Sequence, residues 1–110
     1  MNRLDAIGHL ERVAFEDIMV PDLGTILWCE ADFQVEADED AYAFFVRQIY
    51  TQQSSPEGTD GFFPARTDTA AQIVLELELR NFLESEPAIR QRLCELADAA
   101  GMAHWLHVAA

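Results

Sequence analysis

The most constraining feature of this sequence is a strict alternation of side chains in residues 27–36. Apolar side chains at the odd positions alternate with Trp28 and polar side chains at the even positions. A period of two places each set on its own face of an extended chain. The segment therefore predicts a half-buried β-strand near residues 26–36. Its outer face carries Trp28, Glu30, Asp32, Gln34 and Glu36.

A strand cannot exist alone, because its backbone N–H and C=O groups need hydrogen-bond partners. Four segments could supply them: residues 17–20, the ambiguous stretch 73–79, the tail 104–109, or the same strand of a second copy. The sequence does not choose among these four. It does require a sheet.

Helical spacing of apolar residues predicts helices on both sides of this strand. The first covers residues 3–18 with Asn2 as a cap, although Gly8 disfavours it. The second covers residues 41–53, and Asp38 would cap it at the positive end of the helix dipole. The apolar stripes are Leu4, Ile7, Leu10, Val13 and Ala14 in the first, and Tyr42, Phe45, Val46 and Ile49 in the second.

Two further helices are predicted in the C-terminal half. In residues 70–83 leucines alternate with charged side chains as in a strand, but nearly every residue is a strong helix former, which favours a helix. This helix is apolar on almost all sides. The other helix begins at Pro87, a favoured first position, and ends at Gly101.

The one long loop, residues 54–68, contains the pair Phe62 and Phe63. Its prolines and glycines disfavour a regular element. Two phenylalanines in a polar loop usually fold into the core of their own protein, and the alternative is that they contact a partner. We expect the first arrangement.

These elements predict a single α+β domain over residues 1–110, with three to four helices and a small antiparallel sheet whose main strand lies near residues 26–36. The strand without an assigned partner and the apolar segment 70–83 both need more covering surface than one chain supplies. The sequence therefore predicts a homodimer.

The charge balance excludes several functions. Seven cationic side chains, all Arg, oppose 20 acidic ones, which gives a net charge of −13. Without Lys there is no Schiff-base or phosphate-loop lysine, and the negative field disfavours direct contact with nucleic acid or an anionic membrane. No apolar stretch resembles a signal peptide or a membrane span. We therefore expect a cytoplasmic protein, and the abundance of Ala and Arg without Lys indicates a bacterial source.

No motif predicts a metal, a cofactor or a catalytic site. The acidic run 29–40 lacks the glycine and the ligand spacing of a calcium loop. His104 and His107 form too sparse a set for zinc, even with His9 and a distant cysteine. Cys29 and Cys94 are expected to be separate thiols, because no motif places a base beside either. We do not expect an enzyme.

The remaining hypothesis is a small acidic module that binds another protein, with no cofactor, and acts as a regulator, inhibitor or chaperone. Trp28 is the preferred anchor, and Glu30 and Asp32 would form a polar rim beside it. Phe62 and Phe63 are the second candidate anchors. In the opposing interpretation, Trp28 is covered by a helix of its own chain or by a second copy of the strand.

Two alternatives remain open at this point. The carboxylates could imitate the phosphates of nucleic acid and so inhibit a DNA- or RNA-binding protein. The chain could also be a small enzyme without a recognisable motif, since carboxylate pairs are abundant.

Overall fold

A four-stranded antiparallel sheet carries two α-helices on one of its faces. The computed structural model describes residues 6–37, 41–54 and 57–101, with the backbone alone for residues 6 and 7. The elements are β1 (Ala6–Val20), β2 (Gly24–Ala37), β3 (Tyr42–Ser54), β4 (Asp60–Pro64), α1 (Ala70–Ser85) and α2 (Pro87–Ala99). The strands lie in the sheet in chain order, β1-β2-β3-β4.

The strand expected near residues 26–36 is confirmed as β2. Its odd-numbered side chains from Cys29 to Ala37 are at most 1% exposed and form the centre of the core. Phe15 of β1 packs edge-on against Phe33 of β2, with 6.1 Å between the ring centroids. The helices close this core from one side with Leu79, Leu83, Ile89, Leu93 and Ala97.

Among the four candidate partners of β2, residues 17–20 are confirmed, because they belong to β1. Val20 pairs with Gly24 at the end of the long β1–β2 hairpin. On its other side β2 pairs with β3. The tail 104–109 lies outside the described residues, as do Asn2 and Asp38, the two expected helix caps.

Both C-terminal helices are confirmed. Thr69 caps α1, and its hydroxyl accepts from the backbone N–H of Gln72 while the Gln72 side chain accepts from the Thr69 N–H. This reciprocal capping box satisfies two of the N–H groups that a helix start leaves open. Pro87 begins α2 directly after Glu86.

The expected number of three to four helices is wrong, because the described residues contain two helices and four strands. Residues 3–18 and 41–53 were both predicted to be helical. Residues 6–18 belong to β1 and residues 42–53 to β3 instead. The fold remains in the α+β class, with fewer helices and more strand than expected.

β-Bulges explain why two strands resemble helices in sequence. In β1 the pairing register shifts between Leu10 and Val13, both of which face the core. In β3 Val46 pairs with Phe33, but Gln48 is the next residue to pair, with Asp32, so Arg47 is extra. An extra residue lengthens the interval between two core positions from two residues to three. That interval imitates the spacing of an amphipathic helix.

The segment 54–68 contains a strand that its prolines and glycines did not suggest. Residues 60–64 form β4, a short edge strand beside β3. Neither Phe62 nor Phe63 joins the core cluster, contrary to the arrangement that we expected.

The side chains at the tip of the β1–β2 hairpin differ in burial. Val20 is 2% exposed and belongs to the core cluster, against which Ile18, Leu23 and Ile26 also pack. Met19 and Leu27, in contrast, are each 72% exposed.

Cys29 offers a direct test of the core. Burial, and secondarily the charge of Glu30, raises the pKa of its thiol from 9.0 to about 11. Because the folded pKa is the higher one, this thiol contributes stability below pH 9, and the contribution is lost as the pH rises toward 11. At pH 8 we expect iodoacetamide to modify native protein at Cys94 alone.

The matched variant is Cys94→Ser, which retains Cys29 as the one thiol. We expect mass spectrometry to show this variant unmodified when native and fully modified in guanidinium chloride. Rapid modification of the native variant would contradict the buried position of Cys29.

Candidate functional site

The sheet face opposite the helices, here called the outer face, carries a group of aromatic and charged side chains. Six residues from all four strands form this outer-face cluster: Arg12, Trp28, Glu30, Asp32, Tyr50 and Phe62. No described helix covers it. Because its members come from neighbouring strands, the hydrogen-bonded sheet fixes their relative positions.

Trp28 and Phe62 form the apolar part of the cluster. Their ring centroids lie 6.1 Å apart with the ring planes tilted by 43°. Trp28 is 39% exposed. No helix of its own chain covers Trp28 among the described residues, and β4 supports the indole from one side. Phe62 is half-buried, so Trp28 supplies most of the aromatic surface that this pair presents.

Arg12 connects the other members of the cluster. It lies at the β1 bulge with a positive φ of 52°. Its guanidinium carbon stacks 3.4 Å from the centre of the Tyr50 ring. One guanidinium nitrogen donates to Glu30 at 3.1 Å and lies 3.5 Å from the carbonyl oxygen of Phe62. This one side chain contacts the three other strands.

Asp32 organises the cluster through both of its carboxylate oxygens. Oδ1 accepts from the backbone N–H of Arg12 at 2.8 Å, and Oδ2 accepts from the Tyr50 hydroxyl at 2.6 Å. The hydrogen bond to Asp32, followed by burial, raises the pKa of Tyr50. The bulge leaves the Arg12 N–H without a strand partner, so Asp32 satisfies a donor that the sheet cannot.

The cluster includes four of the five residues that the sequence suggested as partner-binding. Trp28, Glu30, Asp32 and Phe62 lie together on the outer face. Phe63 does not join them, because it shares a register row with Thr51 and the buried Cys29. It is 37% exposed. Their role in binding stays a prediction.

Two members of the cluster, Arg12 and Tyr50, were missed because both were placed on predicted helices. A signal for Tyr50 was available in the residues that surround it. The segment 44–51 is rich in aromatic and β-branched residues, which favour strands. No comparable signal marks Arg12, since its position depends on the bulge.

A polar depression of about 340 Å³ lies beside the cluster. Its lining includes His9, Glu11, Asp32, Phe33, Arg47 and Gln48. Within residues 6–37, 41–54 and 57–101, no three His, Cys, Asp or Glu side chains converge so as to hold a metal ion. His104 and His107 lie outside those ranges. The two cysteines are free thiols.

No protein-family model, curated protein or solved structure matches this chain. Neither described helix has the length and apolar character that crossing a membrane requires. The function must therefore be argued from the geometry of the chain itself.

The position of Asp32 generates a stability prediction. Replacement by Ala removes the acceptor of both the Arg12 N–H and the Tyr50 hydroxyl. We expect the free energy of unfolding to fall by about 1–3 kcal/mol, the usual effect of leaving a donor unsatisfied. Urea denaturation followed by circular dichroism measures this change.

Glu16→Ala provides the matched control, because Glu16 is an exposed outer-face carboxylate on β1 opposite Trp28. Its free energy of unfolding should change by less than about 0.5 kcal/mol. Equal effects of the two substitutions would show that Asp32 contributes only its charge.

Proposed function

We propose that this protein is a small acidic module that binds another protein through the outer-face cluster and blocks that partner's surface. The observation that carries the proposal is the exposed Trp28 with the half-buried Phe62 beside it on the sheet face without helices. Aromatic anchors surrounded by polar groups are typical of binding hot spots.

The internal contacts of the cluster support this role because they order the site before binding. Arg12 is held by stacking on Tyr50 and by its contact with Glu30. Side chains that are already ordered lose less conformational entropy when a partner arrives. A rigid strand surface also keeps the apolar pair in one position.

The charge of the chain specifies the chemistry of the partner. The net charge is −13, and Arg12, which lies 3.5 Å from the Phe62 carbonyl oxygen, is paired with Glu30. Glu16 lies opposite Trp28 across the strand pair and is exposed. Such a surface favours rapid association with a basic partner that presents an apolar patch.

The biological role that fits is antagonism or protection of a partner protein in a bacterial cytoplasm. Anti-activators, immunity proteins and secretion chaperones work in this way. Two free cysteines fit a reducing compartment. No catalytic step is part of the proposal.

Imitation of nucleic acid is the second candidate, and the structure gives it less support. Such a mimic needs carboxylates that are free to replace phosphates. Glu30 and both oxygens of Asp32 are already engaged by Arg12 and Tyr50. A small enzyme is the third candidate, and no observation in the described residues favours it.

The test compares Trp28→Ala with Phe45→Ala. Phe45 is an equally accessible aromatic of the outer face, 45% exposed and opposite Gln34, away from the cluster. Each variant serves as bait in a cell extract, and quantitative mass spectrometry identifies proteins retained by wild type and Phe45→Ala but lost from Trp28→Ala. The affinity of such a protein is then measured after purification.

We expect Trp28→Ala to weaken this affinity about 30-fold, which corresponds to about 2 kcal/mol. Thermal melts establish that the variant is folded. Unchanged affinity in a folded Trp28→Ala protein would contradict the proposal. Strong loss on Glu30→Gln together with a steep salt dependence would instead support imitation of nucleic acid.

A further inference from the structure

An apolar pocket lies between helix α1 and the sheet face that packs against the helices. Its volume is about 210 Å³. The buried side chains of Ile49 and Leu79 lie deepest, and the more exposed Ile26, Ala65 and Leu75 complete the apolar lining. The outer-face cluster lies on the opposite face of the sheet, so the pocket is a separate feature of the molecule.

Arg66 brings an unpaired cation to the edge of this pocket. Its side chain is exposed, and within residues 6–37, 41–54 and 57–101 it has no hydrogen bond, ion pair or ring contact. Each of the other arginines in those ranges has a partner: Arg12, Arg47, Arg80, Arg90 and Arg92. Arg66 is therefore available to an anion from outside the chain.

Two hydrogen bonds fix the backbone from which the Arg66 side chain starts. The N–H of Ala65 donates to the carbonyl of Ile49 at 2.8 Å. The side-chain amide of Gln53 donates to the carbonyl of Pro64 at 3.1 Å. Both bonds tie the residues directly before Arg66 to β3, so the arginine stays beside the pocket.

The other charged and polar groups of the lining also favour an anion. The carboxylate of Glu76 is compensated, because Arg80 donates to it at 2.5 and 2.9 Å. Gln72 accepts from the Thr69 N–H through its side-chain oxygen, which leaves its amide hydrogens to donate elsewhere. The first turn of α1 contains no acidic residue, so the positive end of its dipole is not neutralised there.

The volume of the pocket limits the size of a ligand. An apolar cavity of about 150 Å³ holds benzene, which has six carbon atoms. On this scale the pocket, at about 210 Å³, holds about eight carbon atoms. Drug-sized ligands occupy larger pockets, of about 300–1,000 Å³. The pocket therefore fits a short aliphatic chain or a single ring with a short side chain.

We propose that this pocket binds a small apolar monocarboxylate of about eight carbon atoms. The apolar tail packs against Ile49 and Leu79, and the carboxylate lies at the pocket edge on Arg66. A guanidinium donates two parallel hydrogen bonds to a carboxylate, which also fixes the orientation of the ligand. A ligand with about ten non-hydrogen atoms is expected to bind with a dissociation constant of about 0.1–1 mM.

The first experiment titrates the ¹⁵N-labelled full chain with octanoate and follows the backbone amides by NMR. We expect saturable shifts at residues 65–66 and 72–79. Octanol and octylamine carry the same chain with a neutral and a cationic head, and each should bind at least about tenfold more weakly. Acetate has the head without the tail and should not bind measurably.

The second experiment separates the contributions of head and tail. Arg66→Gln should weaken octanoate about tenfold and leave octanol unchanged, which a merely structural role of Arg66 would not do. Arg47→Gln, at an exposed arginine outside the pocket lining, is the matched control and should bind octanoate as wild type does. Ala65→Leu fills the pocket and should weaken octanoate and octanol equally, in a protein that thermal melting shows to be folded.

Absence of saturable octanoate binding up to about 5 mM, well above the expected dissociation constant, would overturn the proposal. Octanol or octylamine that binds as tightly as octanoate would overturn it too, as would unchanged octanoate affinity in Arg66→Gln. The Arg66→Gln comparison decides the matter even if Ala65→Leu does not fold. Trp28→Ala should bind octanoate as wild type does, so failure of this proposal is distinguishable from failure of the proposed function.

Discussion

The arrangement of the sheet depends on two bulges, one in each strand that neighbours β2, and Asp32 lies opposite both of them. The register of β1 shifts at Asp32 from one side and the register of β3 shifts from the other. Asp32 accepts from the Arg12 N–H that the first bulge exposes. At the second bulge, Glu84 of α1 accepts from the Val46 N–H and Arg80 donates to the Val46 carbonyl. Side chains thus supply hydrogen bonds to backbone groups at both bulges, where the ladder between the strands is interrupted. These hydrogen bonds permit the strong local twist that bulges introduce.

Arginine side chains make most of these side-chain contacts with the sheet. The few cations of this chain therefore have a structural role. Besides Arg12 and Arg80, two arginines of α2 reach the sheet: Arg90 donates to the Tyr42 carbonyl and Arg92 to the Ala14 carbonyl. A guanidinium can stack on a ring and donate to a carbonyl at the same time, which an ammonium group cannot do as well. Because these charges serve internal contacts, carboxylates dominate the charge that solvent and other proteins meet.

The limits of prediction from this sequence follow from where the bulges are. Strand β2 is free of an inserted residue in its buried half, so its alternation was readable, and α1 and α2 carry capping signals at Thr69 and Pro87. The bulges of β1 and β3 change the interval between core residues and depend on pairing with a distant strand. The same distinction applies to the site. The alternation along β2 predicted that Trp28, Glu30 and Asp32 share a face, whereas Arg12 joins them only through the bulge.

The interrupted geometry of β1 also has a consequence for solubility. β1 is an edge strand of 15 residues, long enough to recruit an edge strand of another molecule. Arg12 and Asp17 both adopt positive φ angles and break its ladder at two points. An incoming strand would meet only short straight stretches, residues 6–10, 13–16 and 18–20, too short to template a fibrillar sheet. The distortions that hid this strand from sequence analysis therefore protect the molecule from open-ended, amyloid-like growth.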